Sequence, residues 1–76
     1  MAAAAKIGAL VCITWFDACF DLTEASGCMQ MQTIGWLISR DKQLVCIAGE
    51  RAANNGSQYR QFTSIPRSCV MHITKL

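Results

Sequence analysis

The sequence has few charged residues and a single histidine, which limits the chemistry that it can support. Charged residues make up 16% of the 76 positions, and only five residues are acidic, whereas a typical domain is about 25% charged. No glycine-rich phosphate loop followed by a helix occurs, and no nucleophile motif flanks a cysteine. We therefore expect a protein that binds a ligand without converting it, with no enzyme activity and no resident cofactor.

The cysteines lack the spacing that metal sites and disulfide frameworks require. They are Cys12, Cys19, Cys28, Cys46 and Cys69. The count is odd and no C-x-x-C pair occurs, whereas structural zinc needs paired thiols and secreted frameworks usually have an even count. We therefore expect no metal site, and reduced thiols in a cytoplasmic protein, several of them acting as small buried apolar side chains.

No apolar run has the length of about 20 residues that a membrane-spanning helix takes. The longest candidate extends from Ile7 to Phe16 and meets Asp17 directly afterwards. Its β-branched and aromatic residues favour a strand over a signal peptide. We expect no membrane partner, a flexible leader over residues 1–9, and one domain over residues 10–76.

Five short strands are predicted, and no helical run of 10 residues or more is present. The first has the composition of a strand buried on both faces, and the second and third form a hairpin around the polar turn at residues 40–43. Gly35 inside the second strand indicates a bend, a bulge or a close backbone approach. Pro66 ends the fourth strand, and a 3₁₀ turn over residues 66–68 precedes the fifth. The predicted strands are 10–16, 31–39, 44–48, 59–65 and 69–74.

Alternation in the second strand places Ile34, Trp36 and Ile38 on one face, which we assign to the core. Residues 49–58 (GERAANNGSQ) are predicted to be a polar loop, with a tight reversal at Asn55 and Gly56 because both residue types tolerate positive φ.

Five hairpin-connected strands predict an all-β fold, a small antiparallel barrel. The chain is 53% hydrophobic, and chains of this size often need a staple or a partner subunit. Because open sheet edges pair with other strands, we expect a homo-oligomer.

Three segments resemble the small Sm-like proteins that bacteriophages carry and that occur in marine viral metagenomes. They are residues 14–19 (TWFDAC), residues 33–38 (TIGWLI) with Arg40 and Asp41, and residues 58–60 (QYR) with residues 65–70 (IPRSCV). The resemblance covers about residues 10–76. It implies a five-stranded Sm-like, SH3-type barrel that assembles into rings and binds nucleic acids or nucleotides. The two RNA-binding motifs of eukaryotic and archaeal Sm proteins are absent, so their RNA-binding residues are not carried over.

Basic residues are concentrated in the second half of the chain. Residues 1–38 contain one basic and three acidic residues, whereas residues 39–76 contain six basic and two acidic residues. A guanidinium binds phosphate through two parallel hydrogen bonds, and Arg51, Arg60 and Arg67 lie in or beside the predicted loop and turns. In an oligomer they would converge into an anion pocket between subunits. The alternative is that they are solvated surface arginines.

Aromatic and polar residues complete the candidate site. A base stacked on an aromatic side chain gains about 1–3 kcal/mol. Tyr59 is the stronger candidate for stacking, because Trp36 is predicted to lie in the core. Asp17, close to Trp15, is predicted to cap the following turn, and the alternative is a carboxylate that accepts hydrogen bonds from a purine edge or a ribose hydroxyl. The candidate ligand-binding residues are Arg51, Arg60, Arg67, Tyr59, Ser64, Trp15 and Asp17.

These observations lead to one main functional hypothesis and two alternatives. The main hypothesis is a non-enzymatic phage-type oligomer that binds a small phosphate-bearing nucleotide between subunits and sequesters a cyclic-nucleotide immune signal in the host cytoplasm. The first alternative is a ring that binds single-stranded RNA, for which a net charge of +2 per subunit is small. The second is a structural or host-protein-binding module, which the apolar composition permits.

Overall fold

The β-branched and aromatic runs of the sequence form the strands of one antiparallel sheet. The computed structural model describes residues 5–17 and 29–76. A single 3₁₀ turn, Arg67–Cys69, joins the last two strands, as predicted. The all-β class and the five strands are confirmed. The strands are β1 (Leu10–Asp17), β2 (Met29–Arg40), β3 (Leu44–Ala52), β4 (Asn55–Pro66) and β5 (Val70–Lys75).

The sheet is open, which corrects the predicted closed barrel. The strand order is β4-β3-β2-β1-β5, and closure would require hydrogen bonds between the two outermost strands. Among residues 5–17 and 29–76, pairing ends at β4 on one side and at β5 on the other. Within the described residues, the outer side of each edge strand therefore presents backbone groups that no neighbouring strand pairs. In the same described ranges, no helix has the length and apolar character needed to cross a membrane.

Asp41 organises the turn between β2 and β3, which lies where the polar residues predicted it. Its carboxylate accepts hydrogen bonds from the backbone N–H groups of Leu44 (2.8 Å) and Gln43 (2.7 Å). These bonds stabilise the charged form and hold the pKa of Asp41 below its ordinary value of 3.8.

Gly35 marks a close approach between the backbones of β2 and β3, one of the three predicted possibilities. A Cβ atom at this position would lie 2.5 Å from the backbone oxygen of Ala48. Only glycine fits there without displacing backbone.

The core uses the opposite face of β2 from the one predicted. Leu37 is fully buried, whereas Ile34 is 58% exposed and Trp36 and Ile38 are half-buried. The inward set also contains Thr33, Gly35 and Ser39 and is the less hydrophobic of the two, so alternation alone indicates the wrong face. The strand register selects the inward face, because it pairs Leu37 with Ile47 of the core cluster, whereas Trp36 pairs with Ala48, which lies outside that cluster. The buried apolar residues are Ala5, Val11, Ile13, Leu37, Val45, Ile47, Ala48 and Ile65.

The segment predicted to be a polar loop over residues 49–58 is mostly strand. β3 continues to Ala52 and β4 begins at Asn55, which leaves a two-residue turn. Neither Asn55 nor Gly56 has positive φ, in contrast to Gly8 and Gln61. The Asn55 side chain instead accepts hydrogen bonds from the backbone N–H and the hydroxyl of Ser57. The reversal therefore lies at residues 53–54, two positions before the predicted one.

Residues 5–9 lie within the segment predicted to be a flexible leader, and they pack against the sheet. Ala5 is 4% exposed and belongs to the core cluster. The backbone N–H of Gly8 donates to the carbonyl of Leu37 (2.6 Å), and the N–H of Leu37 donates to the carbonyl of Ala9 (2.8 Å). This short segment therefore extends the hydrogen bonding of β2.

Candidate ligand-binding groove

A groove with a volume of about 480 Å³ lies beside the turn end of the β3–β4 hairpin. We call it the hairpin groove. Its volume is within the range of about 300–1,000 Å³ that is typical of small-ligand sites. Most of its lining side chains are charged, polar or aromatic. They are Trp36, Glu50, Arg51, Ala52, Gln58 and Arg60.

Trp36 forms an aromatic and cationic cluster at this groove. The Cζ atom of Arg51 lies 4.7 Å from the centroid of the Trp36 ring, a cation–π distance. The Tyr59 ring lies 6.4 Å from the Trp36 ring, centroid to centroid, at an interplanar angle of 54°. Arg51 and Tyr59 are register partners on β3 and β4, so backbone pairing delivers both side chains to the same tryptophan.

Glu50 and Arg60 form the neighbouring register pair, and they are joined by a salt bridge. Arg60 Nη2 lies 3.1 Å from Glu50 Oε1, and the side chains are 80% and 49% exposed for Arg60 and Glu50, respectively. An exposed ion pair contributes about 0–1 kcal/mol. A ligand can therefore rearrange this pair at low cost.

The structure brings together three of the predicted site residues, Arg51, Arg60 and Tyr59. Tyr59 is half-buried against Trp36 and does not itself line the groove. Trp36, assigned to the core from the sequence, does line it, because β2 turns its other face inward.

Sequence reasoning missed Glu50 and Gln58 as groove residues. Both residues fall in the segment predicted to be a loop. A loop has no regular alternation, so the sequence did not predict where their side chains point. The available signal was the charge pair itself, since Glu50 and Arg60 flank the hairpin turn and opposite charges favour cross-strand pairing.

Arg67 lies at the opposite end of the hairpin. Its backbone N–H donates to the carbonyl of Gln43 (2.8 Å) and its Nη1 donates to the carbonyl of Asp41 (3.2 Å). Along β3, Leu44 at this end and Glu50 at the groove are six residues apart, about 20 Å. Within one chain, Arg67 and Arg60 therefore do not form a common anion pocket.

Ser64, Trp15 and Asp17 also lie away from the groove. Ser64 is exposed and is four residues beyond Arg60 on β4, about 13 Å along the strand. The Trp15 Nε1–H donates to the Thr33 hydroxyl at 2.9 Å, and the ring packs against the core. Asp17 is the exposed last residue of β1. The turn that it was predicted to cap lies in residues 18–28, outside the described residues.

The described cysteines and acidic residues do not form a metal centre. Cys12, Cys46 and Cys69 are free and half-buried, while Cys19 and Cys28 lie outside the described residues. In the part of the chain that the structure describes, no three His, Cys, Asp or Glu side chains cluster as metal ligands would.

The hairpin groove thus offers an aromatic ring, two guanidinium groups, one carboxylate and one amide within a single small volume. These groups suit a compact ligand that has an aromatic part, an anionic part and hydrogen-bonding edges. Comparison with protein-family models, with curated proteins and with solved structures found no match for this chain.

Proposed function

We propose that this protein is a non-enzymatic Sm-like homo-oligomer that binds a small phosphate-bearing nucleotide in the hairpin groove. The observation that carries the proposal is the Arg51 guanidinium, 4.7 Å from the centroid of the Trp36 ring, with Arg60 lining the same groove. A nucleotide supplies the complementary groups, because its base stacks on an aromatic ring and its phosphate accepts charge-assisted hydrogen bonds from guanidinium groups.

A base can displace the Arg51 guanidinium from the Trp36 ring. An exposed cation–π contact contributes about 0.5–1 kcal/mol, whereas stacking of a base on an aromatic side chain contributes about 1–3 kcal/mol. Arg51 is exposed, so its displaced side chain can move to the phosphate. Trp36 then binds the base and Arg51 the phosphate of the same ligand.

The size and charge of the groove favour a compact ligand over a long single strand. Its volume is about 480 Å³, and its two arginines are offset by Glu50. A protein that follows a nucleic-acid backbone uses a continuous basic groove. We therefore place RNA binding second.

Self-association through the sheet edges is the second part of the proposal. Edge strand β4 carries Phe62, 59% exposed, and edge strand β5 carries Met71, 45% exposed. Pairing of β4 with β5 of another copy satisfies both edges and covers apolar surface. Because Arg60 lies on β4, each groove would then border a subunit boundary. The role that we propose is capture of a cyclic-nucleotide immune signal by a phage protein in the host cytoplasm.

Calorimetric titration with GMP, AMP and a cyclic dinucleotide tests the binding site. Arg51→Ala removes the phosphate contact, and because a hydrogen bond to a charged group contributes about 1.5–3 kcal/mol, we expect affinity to fall about 10- to 100-fold. Arg67→Ala is the matched control, an exposed arginine about 20 Å along the hairpin, and we expect it to bind within twofold of the unmodified protein.

Two results would contradict the proposal. One is the absence of binding by all three nucleotides, and the other is an equal loss of affinity in the two arginine variants. Copurification of heterogeneous RNA, detected at 260 nm after denaturation, would favour the RNA-binding alternative instead.

A further inference from the structure

The Glu50 carboxylate lies in a groove that we propose for a phosphate-bearing ligand, and a carboxylate repels phosphate. It lines the groove beside Trp36 and forms the 3.1 Å salt bridge with Arg60. An ionised carboxylate only accepts hydrogen bonds. In this groove it therefore suits a part of the ligand that donates hydrogen bonds and carries no negative charge, which in a nucleotide is the edge of the base or a ribose hydroxyl.

Backbone pairing places this carboxylate next to a donor. Glu50 and Arg60 are directly opposite each other on β3 and β4, so the two side chains present acceptor and donor groups side by side. Their salt bridge joins Nη2 of Arg60 to Oε1 of Glu50. Carboxylates have two oxygens and guanidinium groups five N–H bonds, so the pair retains capacity for a ligand.

The guanine edge matches this pair in number and kind of groups. Guanine presents one acceptor, O6, followed by two donors, N1–H and the N2 amine. Arg60 can donate to O6, a common arginine contact with guanine, while both oxygens of Glu50 accept from the two donors. Adenine, cytosine and uracil each present a single donor position on the same edge, so one carboxylate oxygen is left without a partner.

We infer that the hairpin groove selects guanine nucleotides, with the Glu50–Arg60 pair reading the base edge while the base stacks on Trp36 and Arg51 binds the phosphate. This inference rests on the proposed function. It assigns the two arginines of the groove different roles, and it makes Glu50 the residue that determines specificity.

The test compares the affinities of GMP, IMP and AMP, measured by calorimetry. IMP has the guanine O6 and N1–H but lacks the N2 amine, so it isolates one of the two hydrogen bonds to Glu50. We expect GMP to bind about 10-fold tighter than IMP and 10- to 100-fold tighter than AMP, the range for hydrogen bonds to a charged group.

Glu50→Gln keeps the shape of the side chain and removes its charge. We expect the GMP-to-AMP affinity ratio to fall by about 10-fold or more. The ratio is the readout, because any change in the groove that weakens both ligands equally cancels in it, whereas loss of contacts to the base edge does not. Asp41→Asn is the control, an exposed acidic residue in the β2–β3 turn, and we expect it to leave the ratio unchanged.

The outcomes separate this inference from the proposed function. Equal affinities for GMP and AMP, or an unchanged ratio in the Glu50→Gln variant, would overturn guanine selection and leave nucleotide binding in place. Failure of GMP, IMP and AMP to bind, together with failure of the cyclic dinucleotide, would overturn both.

Discussion

Two side chains surround the Trp36 ring at the hairpin groove. Trp36 is half-buried, with the Tyr59 ring at 6.4 Å and the Arg51 guanidinium at 4.7 Å from its own ring. Two contacts of this kind keep an indole in place at a surface without a fully apolar pocket. The ring is therefore ordered before a ligand arrives, which lowers the entropic cost of stacking a base on it.

Gly35 carries the clearest stability prediction at the residue scale. In Gly35→Ala the new Cβ would lie 2.5 Å from the Ala48 backbone oxygen, so the β2–β3 backbone must move. We expect a loss of about 3 kcal/mol or more, at the upper end of overpacking effects. In a domain of this size, that lowers Tm by about 12 °C or more, measured by thermal unfolding.

Gly49→Ala is the matched control for this substitution. Its Cβ would lie 3.4 Å from the Gln61 Cβ, an ordinary contact, and we expect a change in the free energy of unfolding within about 1 kcal/mol. Similar Tm values for the two variants would contradict the close approach at Gly35.

At the scale of elements, the existence of the β3–β4 hairpin could be predicted from the sequence, but its length could not. Apolar runs and Pro66 predicted its two strands, and two of the predicted site residues, Arg51 and Arg60, line the groove beside it. Its length could not be predicted, because residues 49–58 are polar and strand pairing there depends on cross-strand partners such as Glu50 and Arg60. Without the register, neither the position of the turn nor the groove beside it follows.

Which face of β2 points to the core also depends on the strands that pair with it. Ile34, Trp36 and Ile38 are more hydrophobic than the residues that alternate with them, one of which is Gly35. The inward set is selected by the partners of β2, since Leu37 pairs with Ile47 of the core cluster and Trp36 pairs with Ala48 outside it. The pairing is a tertiary contact, and the sequence of a single strand does not specify it.

The β2–β3 turn has a pH dependence that follows from Asp41. Its folded-state pKa is lowered by backbone hydrogen bonds from Leu44 and Gln43. Its contribution to stability is therefore present above the unfolded-state pKa near 3.8 and is lost as pH falls through the lower folded-state value. We expect Asp41→Asn to lower the free energy of unfolding at neutral pH. In acid, the free energies of unfolding of the variant and the unmodified protein should become more similar.

Urea unfolding at about pH 7 and about pH 2.5 measures this difference, because the linear extrapolation gives the free energy of unfolding at each pH. A gap between the two proteins that stays constant across this range would show that the charge of Asp41 does not stabilise the turn.

At the scale of the whole molecule, the open sheet is the dominant feature. Within residues 5–17 and 29–76, each edge strand of the five-stranded sheet pairs on one side alone, and both edge strands carry exposed apolar side chains, an arrangement that favours strand pairing with another chain. The excess of apolar residues in the sequence is consistent with this, since a chain of this size buries only about 60% of its surface alone.

Phe62→Lys tests whether the edge strand mediates self-association. A lysine on an edge strand disfavours edge pairing, so we expect light scattering coupled to gel filtration to report an oligomer for the unmodified protein and a monomer for this variant. Ile34→Lys is the control, because Ile34 is as exposed as Phe62, 58% against 59%, but lies on the interior strand β2. A monomeric unmodified protein, or identical masses for the two variants, would contradict assembly through β4.

The fluorescence of Trp36 tests the central claim, nucleotide binding in the hairpin groove, most directly. The chain has two tryptophans, so in Trp15→Phe protein Trp36 is the sole reporter. We predict that GMP quenches its emission saturably, with the dissociation constant that calorimetry gives for the same variant, whereas ribose 5-phosphate, which has no base, leaves the emission unchanged. Unchanged emission at GMP concentrations that saturate the calorimetric signal would contradict the account, because the base would then bind away from Trp36.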